Sequence, residues 1–534
     1  MKKIVTGLAC LICLAGCKGK TDQAGTPSSE IIAGPIGQVP IVKEKLTYTL
    51  GCWIVPNWGD PAQGEFWKNW EQETNIHINW IVAQQSEAAD KFSIMMSSGD
   101  YPDGFIGGWG GGTTNILRYG VQQGIYLPIT KLIPENMPHF MDRALSIDPA
   151  ALQKLTAPDG QIYSLPNIHW NDSAIANAAF INKTWLDKLG LPLPKSTDEF
   201  RAVLQAFKTQ DPNGNGRADE IPFTFKFDDW GAYDHTSWFG AFGYPLALDF
   251  IIFDKGKAVF QGTQPGYRKG VEYFAELYKE GLIDREVFTM TEQQIIAKEN
   301  LDPMTIGAFS SWANYSTNHY DDYTLLLPLR GPEGDQNWGW YDGGFLRDVF
   351  IITQKAKNPE FLLRWADQFY RNFETSFTAM YGLGPDPNKY WNYDENHIIR
   401  INPTYPAEYE RGMQQLAFPP VALEANLVAE ATGQGLAKDK IEYFRLYSPY
   451  IQKFTTKEWE YLPSSVFMTE EENEELSVLE TELVSYTKNQ LARWISGDAN
   501  INADWDKYLK ELNTIGLDKY VELKQKIFNR FKGN

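Results

Sequence analysis

The chain has 534 residues, 43% of them apolar and 14% aromatic, which is enough to bury more than one core, and its length favours more than one domain-sized unit. A net charge of −19 and the lack of any Lys/Arg run exclude nucleic acid as a partner, because phosphate recognition needs a basic face.

At the amino end, residues 1–16 read as an export signal. Lys2 and Lys3 precede an apolar run, Ile4 to Cys13, that is too short to span a bilayer, and small residues lead up to Cys17. Leu14-Ala15-Gly16-Cys17 resembles the bacterial lipobox, so Cys17 is expected to become the lipidated first residue of the mature protein, with ordinary signal cleavage as the alternative. The protein is then exported and anchored to the membrane through this lipid alone, facing the cell exterior or the periplasm. Cys52 keeps no disulfide partner, so the core must hold the fold together. Residues 17–45, rich in Gly, Pro, Ser and charge, read as a flexible tether.

After the tether, KLTYTLGCWIV reads as a strand and GEFWKNWEQETN as a helix with Phe66, Trp67 and Trp70 at helical spacing. IHINWIVA is the next strand and SEAADKFSIMMSSGD the next helix. Strand, helix, strand and helix in succession predict an α/β fold with a parallel sheet. YPDGFIGGWGGGTTN matches no phosphate-binding pattern and reads as a strand end entering a permissive loop, with Asp103 as a turn residue or, alternatively, a strand-end ligand contact. Ser196 and Glu199 form a capping box ahead of Phe200, Val203, Leu204 and Phe207 at i, i+3, i+4 and i+7, and the helix they begin runs into DPNGNGRADEIP. IPFTFKF then alternates like a strand. From Thr469, with Glu472 in a second box, the far end is helical, its apolar face running through Leu476, Leu479, Leu483, Tyr486 and Trp494.

DPNGNGRADEIP poses a chemical question, because it gathers five oxygen-bearing side chains around Gly216. Calcium takes six to eight oxygens, and an EF-hand loop supplies them from positions 1, 3, 5, 7 (a carbonyl) and 9, with Gly at 6. Counted from Asp211, these positions are Asp211, Asn213, Asn215, the Arg217 carbonyl and Asp219, with Gly216 in its place. Position 12 is Pro222, and an acid stands at position 10 instead, Glu220. The reading is a structural Ca2+ site in an EF-hand-like loop without the EF-hand fold; a solvated Asn/Gly turn is the alternative.

The lipobox, the block from Asn182 to Pro222, KNPEFLLRWADQFY from Lys357 to Tyr370 and the tail from Phe467 to Gly497 together resemble the lipoprotein extracellular solute-binding protein family 1 of ABC sugar importers, in particular its LipO-type and alginate-oligosaccharide-binding members. The resemblance implies a two-lobed periplasmic-binding-protein-like α/β fold (type II), with a cleft between the lobes and a helical C-terminal region. It divides the chain into residues 46–170 plus 305–355 for lobe one and 171–304 plus 356–534 for lobe two. It also implies Asp211, Asn213, Asn215, Arg217, Asp219 and Glu220 as calcium ligands.

Sugar sites combine flat aromatic rings with hydrogen-bonding side chains. NIHWND, FDDWGAYDHTSW, FSSWANY and NWGWYDGG supply such clusters, and Trp170, Trp230, Trp312 and Trp340 are the candidate sugar contacts. For any single ring, core packing is the competing role. A surface glycoside hydrolase would share this composition, and 68 acids offer too many pairs to exclude one by sequence. There is no His-Glu-x-x-His or Gly-x-Ser-x-Gly, and the six histidines are scattered singly. The expected function is non-enzymatic: a monomer that captures a carbohydrate and delivers it to ABC transporter permease subunits, or alternatively feeds a sensor.

Overall fold

The computed structural model describes residues 31–54, 59–169, 174–175, 177–227, 233–311, 317–341, 344–402, 418–424, 448–455, 459–463 and 466–533. From the amino end, β1 (Leu46–Ile54), β2 (Ile76–Gln84), β3 (Gly104–Ile106) and β4 (Ser164–His169) build a first lobe. The chain passes through β5 (Ala174–Ile175) into a second lobe with β6 (Ala178–Asn182), β7 (Ile221–Phe223), β8 (Ile251–Asp254), β9 (Lys257–Phe260), β10 (Ile306–Ser311) and β11 (Tyr323–Leu326). It returns by β12 (Trp340–Tyr341) to β13 (Phe345–Ile352), β14 (Trp391–Tyr393), β15 (Ile399–Ile401) and β16 (Ala422–Leu423), then ends in the second lobe with β17 (Trp459–Glu460) and the helices Glu470–Ser496, Ile501–Ile515 and Leu517–Lys532.

The local elements follow the sequence pattern. In β1, Tyr48, Leu50, Cys52 and Ile54 are buried, as alternation requires of a strand in a sheet covered by helices. Helix Glu65–Thr74 buries Phe66, Trp67 and Trp70, and helix Thr197–Thr209 buries Phe200, Val203, Leu204 and Phe207. Ser196 caps the latter by accepting from the Glu199 amide, but the Glu199 carboxylate reaches the Lys195 amide, one residue outside the box expected. Thr469 and Glu472 close theirs fully.

The lobe-one sheet runs β16-β4-β13-β3-β1-β2. β1, β2 and β3 are parallel, and β13 lies antiparallel between β3 and β4, so the sheet is mixed where the alternation of elements predicts a parallel one. The lobe-two sheet runs β11-β6-β10-β7, and a smaller sheet, β17-β8-β9, carries the C-terminal helices, with Phe253 stacked on Phe528 at 3.9 Å between ring centroids.

Three boundaries differ from the division expected from sequence. β10 and β11 both pair with β6, so residues 306–311 and 323–326 belong to lobe two. Helix Pro359–Asp367 puts Trp365 at 6.1 Å from Trp67 between ring centroids, and β16 pairs with β4, so residues 356–402 and 418–424 belong to lobe one. The division lies in strand order, which non-local pairing sets and no local run of residues encodes. Within the expected tether, residues 31–45 pack onto lobe one: Ile41 and Val42 are buried and Ala33 bridges Val42. Residues 1–30, with the signal peptide and Cys17, lie outside the described residues. Among the described residues no helix is long and apolar enough to cross a membrane.

Candidate functional site: the crossing between the lobes and the 211–220 loop

Strand direction locates the crossing. Ile106 of β3 pairs with Phe350, and Ile168 of β4 pairs with Phe345, so the carboxyl ends of β1, β3, β4 and β16 share one edge with the start of β13. In lobe two, β7 and β10 are parallel, and Ser311 at the carboxyl end of β10 pairs with Ala178 at the start of β6. The chain leaves lobe one and enters lobe two at these two edges, and β5 pairs antiparallel with β12 between them as a short ladder. Open α/β sheets bind ligands beyond the carboxyl ends of their strands. This crossing is therefore the place where two such edges meet.

Trp170, Trp230 and Trp312 lie outside the described residues, but residues that flank the last two are described and brought together. Trp170 follows His169, the last residue of β4. The stretch holding Trp230 is bracketed by Phe227 and Tyr233, and Tyr233 returns against the strand end, its carbonyl accepting from the Lys226 amide at 3.1 Å. Trp312 follows Ser311. Glu299, 2% exposed, ties the last two together: its carboxylate accepts from Tyr233 Oη at 3.1 Å and its carbonyl from Thr317 Oγ1 at 2.6 Å. Asn177 Nδ2 donates to the Asp234 carbonyl at 3.1 Å, fastening the incoming strand to the same wall.

Trp340 is described: it sits in β12, half-buried, with its ring 5.2 Å from that of Tyr461. Trp238, from the same cluster as Trp230, belongs to the core, where its Nε1 donates to Ser310 Oγ at 2.8 Å and its ring packs on Phe223 and Trp338. Asp103 accepts from the Thr49 amide at 2.7 Å and so braces neighbouring elements of the lobe-one sheet.

Sequence reasoning did not single out Glu299, or the buried His235 whose ring lies between Phe225 and Phe227 at 4.9 and 5.0 Å. Nor did it find Arg347 and Asp348 in a register shift of β13, beside the glycine loop that follows β3. The one available signal was an Arg-Asp pair inside an apolar strand, which has to be satisfied when buried.

The 211–220 loop is fully described and joins helix Thr197–Thr209 to β7. Asp211 takes φ +46°, and Gly214 and Gly216 take +76° and +73°, a left-handed conformation that glycine adopts without strain. Asp211 Oδ1 accepts from the amides of Gly214 and Asn215 at 3.0 and 3.1 Å, and Oδ2 from Gly216 at 3.0 Å. Asn213 and Asn215 turn their amide nitrogens to Asp219 at 3.0 to 3.1 Å, and these bonds hold its carboxyl below the usual carboxylate range. Burial, together with the neighbouring Asp211 and Asp219, pushes the Glu220 carboxyl up, and its Oε1 is buried with no hydrogen-bond partner. A cation would answer that orphaned oxygen, and turning either Asn amide over presents an oxygen in place of the nitrogen, so the donor set fits calcium. Among the described residues no group of three or more His, Cys, Asp or Glu is gathered as for a metal.

The comparisons agree with this architecture. The chain is 31% identical over its whole length, and over 98% of the relative, to the fructooligosaccharide ABC transporter substrate-binding protein FusA of Streptococcus pneumoniae serotype 4. It is 27% identical over 43% of its length, and 42% of the relative, to lipoprotein LipO of Bacillus subtilis. The structure of FusA in complex with kestose superposes with a TM-score of 0.80, covering 91% of this chain and 100% of that one, and that of a FusA EF-hand mutant in complex with fructo-nystose matches equally. The human-milk-oligosaccharide (HMO) binding, ABC-transporter-associated protein of Bifidobacterium longum infantis, at 24% identity over 91% of this chain and 99% of that one, shares the fold with a TM-score of 0.76. The model of the bacterial extracellular solute-binding proteins matches residues 56–375, and the chain belongs to that family.

Proposed function

We propose that the protein captures an oligosaccharide in the cleft at the crossing and delivers it to the permease subunits of an ABC transporter. The observation that carries this reading is the meeting of two strand-end edges at the β5–β12 ladder, in a chain 31% identical along its whole length to a fructooligosaccharide-binding protein. Closure about the ladder gives the permease a liganded surface different from the open one. Trp170, Trp230 and Trp312 serve as stacking rings for the apolar faces of the sugar units, and Glu299 gathers the flanks of the last two. Trp340 stands at the pivot. The protein works as a monomer, without hydrolysing its ligand and without nucleic acid, and is held to the membrane by the lipid on Cys17; the lipobox and the likeness to a lipoprotein support the anchor.

Asp211, Asn213, Asn215, the Arg217 carbonyl, Asp219 and Glu220 hold a structural calcium ion. The buried, partnerless Glu220 Oε1 supports this, as does the similarity to a protein studied as an EF-hand mutant. When bound, calcium supplies charge compensation to the loop. The chain's own residues order it through the Asp211 hydrogen bonds, which fix the exit of the helix into β7.

The test is a thermal-shift and calorimetric screen of the chain from Ile31 onward against kestose, other neutral oligosaccharides and uronates, with calcium or EDTA, while the same mixtures are assayed for cleavage. A ligand bound only by the native state raises the melting temperature with concentration. A sugar-dependent rise without products supports the receptor, and a fall in EDTA supports the metal. Appearance of shorter sugars would instead make the protein a hydrolase.

A further inference from the structure

The lobes also touch away from the ladder, through a strap of the second lobe that reaches back to the first. β17 pairs with β8 in lobe two, Tyr461 packs on Trp340 at the ladder, and Phe467 inserts into the lobe-one cluster of Phe92, Phe105, Trp109 and Tyr163. Two residues later Thr469 caps helix Glu470–Ser496 of lobe two. Phe467 is held from both sides. From lobe one, the Arg347 guanidinium lies 3.7 Å from its ring centroid. From lobe two, Arg530 Nη2 donates to its carbonyl at 3.1 Å while pairing with Glu472, 2% exposed.

Arg347 in turn governs the glycine loop at the carboxyl end of β3. Its Nη2 donates to Thr113 Oγ1 at 2.9 Å and to Asp348 Oδ2 at 2.8 Å, and Asp348 accepts from the Gly112 amide at 3.0 Å and from Ser164 Oγ at 2.6 Å. The loop leaves no slack on this side: a Cβ at Gly111 would stand 2.5 Å from the Asp348 carbonyl oxygen. A continuous chain of contacts therefore runs from the C-terminal helix of lobe two through Phe467 and Arg347 to the lip of lobe one.

We propose that Phe467 and Arg347 are positioning residues for ligand capture, setting how far the lobe-one lip stands from the lobe-two wall in the ligand-free protein. The planar guanidinium stacks on the ring face while its edge stays bonded to Asp348 and Thr113, so the contact resists opening and also fixes the orientation of the two lobes. The inference rests on the two-lobed closure proposed above but not on the identity of the sugar. It is read without ligand, so its failure leaves the sugar reading standing.

The test measures the distance between spin labels at Ile94→Cys in lobe one and Leu248→Cys in lobe two, both exposed, in the full chain with Cys10, Cys13 and Cys17 replaced by Ser and with Cys52 buried. The parent should give one narrow distribution. In Phe467→Ala and in Arg347→Lys the population at longer distances should rise about tenfold, as loss of a desolvated cation–π contact implies. Phe467→Leu keeps the apolar volume and loses the ring face, and it should behave like Phe467→Ala. Distributions coincident with the parent's, or restoration by Leu, would reduce Phe467 to core filler and overturn the proposal. If Phe467→Ala does not fold, Arg347→Lys and Phe467→Leu decide the question.

Discussion

Two glycine-rich turns in this protein are built in opposite ways. The loop at 211–220 is held by its own carboxylates: Asp211 caps amides three, four and five residues on, and Asp219 is held by Asn213 and Asn215. The loop at 107–112 carries no acid, and its shape depends on Asp348, 236 positions away, which accepts from Gly112. A turn organised from within survives in isolation as a pattern of residues. One organised from without exists only when the sheet is assembled, and it is coupled to whatever moves that sheet.

The predictions press on this contrast, beginning with the largest effect. Asp348→Ala takes from the buried Arg347 its paired carboxylate beside the glycine loop and should cost about 3–5 kcal/mol in denaturant unfolding, with or without calcium. Asp211→Ala should act quite differently, abolishing calcium-dependent stabilisation, which for the parent at 100-fold excess over the dissociation constant is about 2.7 kcal/mol. If calcium stabilised both proteins alike, the loop would be a plain polar turn.

A third test concerns a second brace supplied from far along the chain. Asp367 is fully buried and accepts from the amides of His139 and Phe140, and burial raises its carboxyl to about 6. Unfolded, it titrates near 4, so between about pH 4 and 6 the folded state holds a proton that the unfolded state has lost, and stability falls as pH rises through that window. Asp367→Asn should remove this fall, a difference on the order of 2 kcal/mol between the two ends of the window in urea titrations. A slope unchanged in the variant would assign the pH dependence to other groups. The smallest effect belongs to a local device: Ser196→Ala removes one helix cap and should cost about 1 kcal/mol by thermal unfolding.

The same contrast explains what could be read in advance. Periodicity located the helices that bury Trp67 and Trp70, or Phe200 and Phe207, because an element's apolar face is a property of consecutive residues. The loop at 211–220 was legible for the same reason. The lobe boundaries were not, since β10 lies between β6 and β7 through pairings that bring together residues far apart along the chain, Ala308 with Ile181 and Ile306 with Ile221. Trp238 and Trp230 looked alike in sequence, yet Trp238 fills the core through a bond to Ser310 that no spacing announces.

By itself, the amino-acid sequence determined the alternating α/β elements, the amphipathic C-terminal helices and the ten-residue loop with its oxygen-bearing side chains, since each depends on neighbours within a few residues. Only the tertiary structure decided which strands share a sheet, where the two strand-end edges meet, that Glu299 gathers the flanks of two tryptophan-bearing segments, and that Phe467 ties the lobes through Arg347. These depend on burial and charge pairing between distant residues, whose energies appear only after the chain has folded.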